Sequence, residues 1–265
     1  MEMPIVERRD APLILSMPHV GLGIPDAVKA QLTERALGIE DTDWWIDQLY
    51  DFGEELGATV VRATTSRYVI DVNRDPSGTS LYPGQATTDL CPTTTFDGVP
   101  LYRDAAGPSA EEIERRRLPY HAAYHDALSA EVRRLRARHP RVALYDCHSI
   151  RSLVPRLFDG ELPVFNIGTN GGASCDPEAE AIVAEACASA DGYSHVVNGR
   201  FRGGWITRHY GDPAGGVHAI QMELAQRAYL TDEAPPWSYD AAKSDRLRAV
   251  LKPMLHRLID WANRV

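Results

Sequence analysis

Short apolar runs that stop abruptly at polar residues constrain this chain more than any other feature. Pro12–Met17 (PLILSM) ends at Pro18-His19, and Val142–Tyr145 ends at Asp146-Cys147-His148. Leu162–Ile167 is a further run of the same kind. Runs this short, bounded by turn residues, predict buried strands rather than helices. Ala58–Ala63 (ATVVRA) and Arg67–Val72 (RYVIDV) are rich in β-branched residues and predict two more. Val217–Leu224 (VHAIQMEL) alternates. Its period of two puts His218, Ile220, Met222 and Leu224 on one face and Ala219, Gln221 and Glu223 on the other.

Helical patterns fall between these strands. Asp43–Leu56 spaces Trp44, Leu49, Phe52 and Leu56 at roughly helical intervals until Gly57 stops it. A charged helix is expected over Ser109–Arg138, with Ser109 as N-cap and Glu111-Glu112 in the first turn. Asp176–Ala190 opens on Asp176-Pro177, an N-cap followed by a proline that needs no N–H partner. From Tyr239 to Asn263 the chain reads as an amphipathic helix that Pro253 should kink. Strands alternating with helices predict an α/β fold: a central mixed, mostly parallel sheet flanked by helices. At 265 residues, without a linker-like stretch, the whole chain is expected to form a single domain. Gly78–Pro100, rich in Thr, Pro and Gly, reads as one long irregular loop.

Composition narrows the function classes. The chain is 44% hydrophobic and 25% charged with a net charge of −9, so no basic field favours nucleic acid or an anionic membrane. No run approaches the ~20 apolar residues that a membrane helix requires. The opening MEMPIVERRD lacks an apolar core and is not read as a signal peptide. Cys91, Cys147, Cys175 and Cys187 form no C-x-x-C pair and read as reduced thiols. The expectation is a cytoplasmic protein with a small-molecule partner.

In open α/β sheets, ligands gather beyond the carboxyl ends of strands. Polar clusters fall there repeatedly: His19 in P-H-V-G, Asn73-Arg74 after V-I-D-V, and His148 in D-C-H-S. Two histidines at strand ends, with Asp41 and Asp43 nearby, suggest a metal site of the His/His/carboxylate type that suits hydrolytic zinc. Asp43 and Asp41 serve equally as helix caps in this reading, and Asp146 is either a ligand or a carboxylate that orients His148. Arg67, Asp71 and Asn73 share strand parity while Arg74 does not; their arginines either grip a carboxylate or pair with Asp71. The segment N-G-R-F-R-G-G-W-I-T-R-H-Y-G brings Arg200, Arg202, Arg208 and Tyr210 together with close-approach glycines, or else forms a hairpin with a basic face. Glu223, on an otherwise apolar strand, either faces solvent or is a desolvated base.

These same segments resemble the N-formylglutamate amidohydrolases. The matching stretches include D-T-D-W-W-I-D-Q-L-Y, S-R-Y-V-I-D-V-N-R, D-C-H-S-I-R-S and L-F-D-G-E-L-P-V-F-N-I-G-T-N-G-G-A-S-C-D-P, in order from about residue 12 to 230. The resemblance implies hydrolysis of N-formyl-L-glutamate and a phosphorylase/hydrolase-like core similar to the zinc carboxypeptidases. It implies Zn²⁺ held by His19, Asp43 and His148, with Glu223 as general base. On this reading Arg74 or Arg202 binds one substrate carboxylate, with Asn73 beside it. Arg67, Arg200 or Arg208 binds the other, and Tyr210 adds a hydrogen bond. The alternatives are the same chemistry on another N-acyl acidic amino acid, or a metal-free dicarboxylate-binding protein.

Overall fold

The structure, a computed structural model, describes residues 3–81, 84–104 and 106–264. Its strands are β1 (Ile5–Glu7), β2 (Leu13–Met17), β3 (Thr59–Arg62), β4 (Val142–Ile150), β5 (Phe165–Gly168), β6 (His195–Val197) and β7 (Val217–Ala225). They form one seven-stranded sheet in the order β1-β3-β2-β4-β7-β5-β6. The four central strands, β3, β2, β4 and β7, run parallel. β1 pairs antiparallel with β3, and β5 antiparallel with β7, so the sheet is mixed and mostly parallel as expected.

Two one-turn helices, α1 (Asp26–Lys29) and α2 (Ile46–Leu49), precede the main ones. Those are α3 (Ala110–Arg116), α4 (Ala123–Arg136), α5 (Pro177–Ala188), α6 (Trp205–Tyr210) and α7 (Ala241–Asn263). Alternation along the strands separates two cores. Leu13, Leu15, Tyr145, Cys147, Ile220 and Met222 pack on the face covered by α5 and α7. Ile14, Val142, Leu144, Val217 and Ala219 pack on the opposite face, against Tyr124, Leu128 and Leu135 of α4 and Ile206 of α6. Both faces are thus covered, which an all-parallel centre requires.

On the α4 face the apolar residues give way to polar ones half-way along β4 and β7. Val142 and Leu144 are followed in phase by Asp146 and His148, and Val217 and Ala219 by Gln221 and Glu223. Parallel pairing sets Asp146 opposite Gln221 and His148 opposite Glu223, with Ser16 of β2 opposite Asp146. A strip of buried polar groups therefore crosses the sheet just past the apolar core.

Several expectations need correction. β4 does not stop at Tyr145 but continues to Ile150, so His148 lies within the strand rather than after it. Arg67–Val72 is not a strand; it forms turns, with Val69 and Ile70 in small satellite cores and Val72 in the core on the α4 face. The long helix expected over Asp43–Leu56 reduces to α2 and a 3-10 turn at Asp51–Gly53: Trp45, with a left-handed φ of 60°, delays its start to Ile46, and Tyr50, at φ −101° and ψ 19°, leaves the helical region after Leu49. Asp43 is not its cap. Over Ser109–Arg138 the helix forms, with Ser109 accepting from the N–H of Glu112, but a π turn over Arg117–Ala122 interrupts it. Asp176 caps α5 as expected, accepting from the N–H of Glu178. β1, β6 and α6 were not anticipated; the strands are three-residue edge pieces too short to show a period. All four cysteines are free and buried. Among the described residues, no helix is long and apolar enough to cross a membrane.

Candidate active site

Four chain segments bring polar side chains to the strip on β4 and β7. His19 comes from the turn after β2, Asp43 from the turn before α2, Arg67 to Arg74 from the turns after β3, and His148 from β4 itself. His19, Asp43 and His148 are all buried, and one ligand atom from each lies within 4.8 Å of the others. His148 Nδ1 is 3.1 Å from Asp43 Oδ2, and His19 Nδ1 is 3.6 Å from the same oxygen.

The far nitrogen of each imidazole is already taken. His19 Nε2 lies 2.7 Å from Asp71 Oδ1, and His148 Nε2 lies 2.8 Å from Asp146 Oδ2. A carboxylate at Nε2 keeps a proton on that nitrogen, so Nδ1 is the nitrogen that can give up its proton and turn a lone pair towards the cluster. His19 Nδ1 and Asp43 Oδ1 have no hydrogen-bond partner among the described residues although both are buried. Buried polar atoms without partners are costly. Two imidazole nitrogens able to shed their protons, one carboxylate and two oriented rings fit a divalent cation such as zinc.

Without a cation, Asp43 and the imidazoles stabilise one another's charges. Burial works against a charge on Asp43, but His19 and His148 outweigh it and hold its carboxyl well below the usual range. For His148, burial is likewise overcome by Asp146 and Asp43, which hold its pKa well above the ordinary value. Of the other candidate carboxylates, Asp41 accepts from the Tyr68 hydroxyl and the N–H of Phe96, each at 2.8 Å, and takes no part in the cluster. Asp146 serves as the orienting partner of His148.

A cavity opens beside the cluster, lined by His19, His148, Arg67, Asn73, Arg74, Thr88, Arg200 and Glu223 among others. Apolar walls come from Phe96, Ile150, Leu157 and Phe201. Glu223 is buried, and burial pushes its carboxyl up to about 8, with His148 pulling in the opposite direction. Arg67 bridges Asp71 at 2.8 Å and Asp43 at 3.7 Å. Arg74 donates to the carbonyl and hydroxyl of Thr88, and Arg200 to the carbonyls of Leu157 and Ala86.

The remaining candidates sit elsewhere. Arg202 is exposed and lies outside the cavity lining. Arg208, which donates to the carbonyls of Gly203 and Leu81, also lies outside it. So does Tyr210, whose hydroxyl is 3.0 Å from His125 Nδ1. Conversely, Asp71 holds a histidine that precedes it by 52 positions, a role hidden behind its reading as an arginine partner. Its parity with Arg67 and Asn73 was the available signal.

The sequence pattern of the N-formylglutamate amidohydrolases matches residues 11–230. The chain belongs to the N-formylglutamate amidohydrolase family. Within it, the chain is 51% identical over 255 residues to an N-formylglutamate deformylase of Pseudomonas aeruginosa, covering 96% of this chain and 95% of that relative. A Pseudomonas putida protein of the same name is 50% identical over 250 residues, covering 94% and 93%. Among solved structures, the N-formylglutamate amidohydrolase of Ralstonia eutropha superposes with a TM-score of 0.80 over 99% of this chain and 98% of that one, at 22% identity. The fold of this amidohydrolase is thus shared well beyond its sequence likeness.

Proposed function

We propose that the chain is a zinc-dependent deformylase that hydrolyses N-formyl-L-glutamate to formate and L-glutamate, as the last step of a histidine degradation route. The observation that carries this reading is the convergence of His19 Nδ1, His148 Nδ1 and Asp43 Oδ2 beside a cavity lined by arginines and Glu223. The names of the Pseudomonas relatives support the choice of substrate. We place the whole chain, working as one unit, in the cytoplasm with a small acidic metabolite as its partner.

His19, Asp43 and His148 would hold a divalent cation, which when bound would supply the positive charge needed to polarise the formyl carbonyl and acidify a water. Glu223 takes the proton of the attacking water at its carboxylate and returns it to the glutamate nitrogen as the amide breaks. Its pKa of about 8, set by burial, moves down beside added positive charge, which brings it into the range proton shuttling needs. Arg74 and Arg200 line the cavity and bind the two substrate carboxylates, Arg74 with Asn73 at its side. Arg67, held between Asp43 and Asp71, puts a fixed cation next to the developing oxyanion.

Formate release from N-formyl-L-glutamate by purified protein tests the reading. Turnover is expected that chelation abolishes and Zn²⁺ restores. No release from fully metallated protein would sink it.

A further inference from the structure

Buried irregular backbone must find donors for its carbonyls, because no sheet ladder supplies them. The turn from Asp71 to Arg74 is such a segment, with Asp71, Val72 and Asn73 buried. The carbonyl of Asp71 accepts from the N–H of Arg74, and that of Asn73 from the N–H of Trp205, each at 3.2 Å. The other two carbonyls are each met by an imidazole. His125 Nε2 is 2.8 Å from the Val72 oxygen, and His121 Nε2 is 2.9 Å from the Arg74 oxygen.

The helix is built to deliver both rings. Pro119 lacks an N–H and, in a regular α-helix, would leave a carbonyl unpaired and clash with it. The wider π turn over Arg117–Ala122 accommodates the proline, and His121 emerges from that turn four residues ahead of His125 in α4. The two rings lie 4.4 Å apart. Burial, with His121 adding to it, pushes the pKa of His125 down to about 3, and burial lowers that of His121. A neutral imidazole carries one N–H, so in each ring it sits on the nitrogen that faces the carbonyl. Nδ1 of His125 then faces the Tyr210 hydroxyl as an acceptor at 3.0 Å, sharing its proton with the His125 carbonyl oxygen at 3.1 Å, and the Tyr210 ring stacks on His125.

The turn so held carries much of the candidate site. Asp71 bonds His19, and Asn73 Nδ2 lies 3.3 Å from Asp146 Oδ2 and 3.0 Å from His148 Nε2. Arg74 reaches the cavity from its last position. We propose that His121 and His125 are positioning residues that clamp the carbonyls on either side of Asn73 and thereby aim Arg74 at the substrate carboxylate. The inference rests on the reading of Arg74 as a carboxylate grip. It also gives Tyr210 a place, as the lock on His125.

Steady-state kinetics on N-formyl-L-glutamate tests the clamp with wild type, His121→Leu, His121→Gln, Arg74→Ala and the double variant His121→Leu/Arg74→Ala. Leaving the Arg74 carbonyl without a donor is expected to raise KM about tenfold, with kcat within about threefold and zinc content unchanged. His121→Gln, whose amide reaches the same oxygen, should keep KM within about threefold of wild type. In the Arg74→Ala background His121→Leu should add nothing, since the two act on one contact. An unchanged KM in His121→Leu, or effects that add fully in the double variant, would overturn the clamp. So would loss of zinc and kcat along with KM, unrestored by Gln. If wild type turned over no substrate, the functional reading would fall separately. Calorimetric affinity for L-glutamate would then judge the clamp: a tenfold loss in His121→Leu supports it, whereas equal affinities or no binding overturn it.

Discussion

His148 and Glu223 are register partners on the adjacent parallel strands β4 and β7, on the same face of the sheet. One side chain belongs to the cluster that could hold a metal ion and the other lines the cavity with it, so the proposed ligand and the proposed base are carried by two neighbouring strands. Replacement of Glu223 by Gln keeps the shape and removes the base. We expect Glu223→Gln to lower kcat by about 10²–10⁴-fold while zinc content stays at the wild-type level. Turnover assays paired with metal analysis check this; near-normal kcat would remove Glu223 from the chemistry.

Asp71 and Asp146 each hold the far nitrogen of a proposed ligand histidine. An Asn in either place is nearly isosteric but no longer draws the ring proton to Nε2. Asp71→Asn and Asp146→Asn are each expected to weaken zinc binding or activity by about 10–100-fold. Competition against a chromophoric chelator measures the affinity directly. Wild-type affinity in both variants would mean that the rings are oriented by packing alone.

Protons should compete with the proposed metal at the cluster. The pKa of His148 is raised well above the ordinary value, so the metal-free protein holds a proton there at neutral pH, and loading must expel it. Zinc affinity should therefore fall by about tenfold for each pH unit of acidification over this range. Calorimetry in buffers of differing ionisation enthalpy should register proton release on binding. A pH-independent affinity would contradict the arrangement.

Acid should also weaken the fold at a distance from the cavity. His218 accepts from the N–H of Asp176 through Nδ1, and burial pushes its pKa down to about 4. His125 is lowered to about 3 by burial and by His121. Both folded-state values lie below the unfolded 6.5, so under pH 6.5 the unfolded chain binds protons that the folded chain does not. Their contribution is full above that pH and is lost on the way down, by up to about 1.4 kcal/mol per pH unit for each group. Urea melts between pH 7.5 and 5 should show the decline, and His218→Asn should flatten it. An unchanged slope in that variant would exclude His218 as a source.

The central strands and the flanking helices were legible because their signals are local. An apolar run, its period, and a cap such as Ser109 or Asp176 are set by neighbours in sequence. Where tertiary burial overrides local preference, the reading failed. Arg67–Val72 has strand-like composition, yet its backbone turns so that Asp71 can meet both His19 and Arg67. Trp45 sits in a left-handed conformation that no propensity suggests. His121 and His125 left no trace beyond membership of a charged helix, because their partners are carbonyls roughly fifty positions away.

By itself, the sequence determined the α/β class, the strands at the centre of the sheet and the polar residues that punctuate them. Alternation with a period of two even placed Gln221 and Glu223 on one face. Only the tertiary structure decided which of those polar groups share a site. It chose Asp43 over Asp41 and left Arg202, Arg208 and Tyr210 outside the cavity lining. It also turned Nδ1 of both His19 and His148 towards Asp43. The physical reason is that a buried polar atom takes its role from the partner it meets. Asp146 meets His148 locally, two residues away on β4, but Asp71 reaches His19 only when the turns after β3 pack beside the turn after β2.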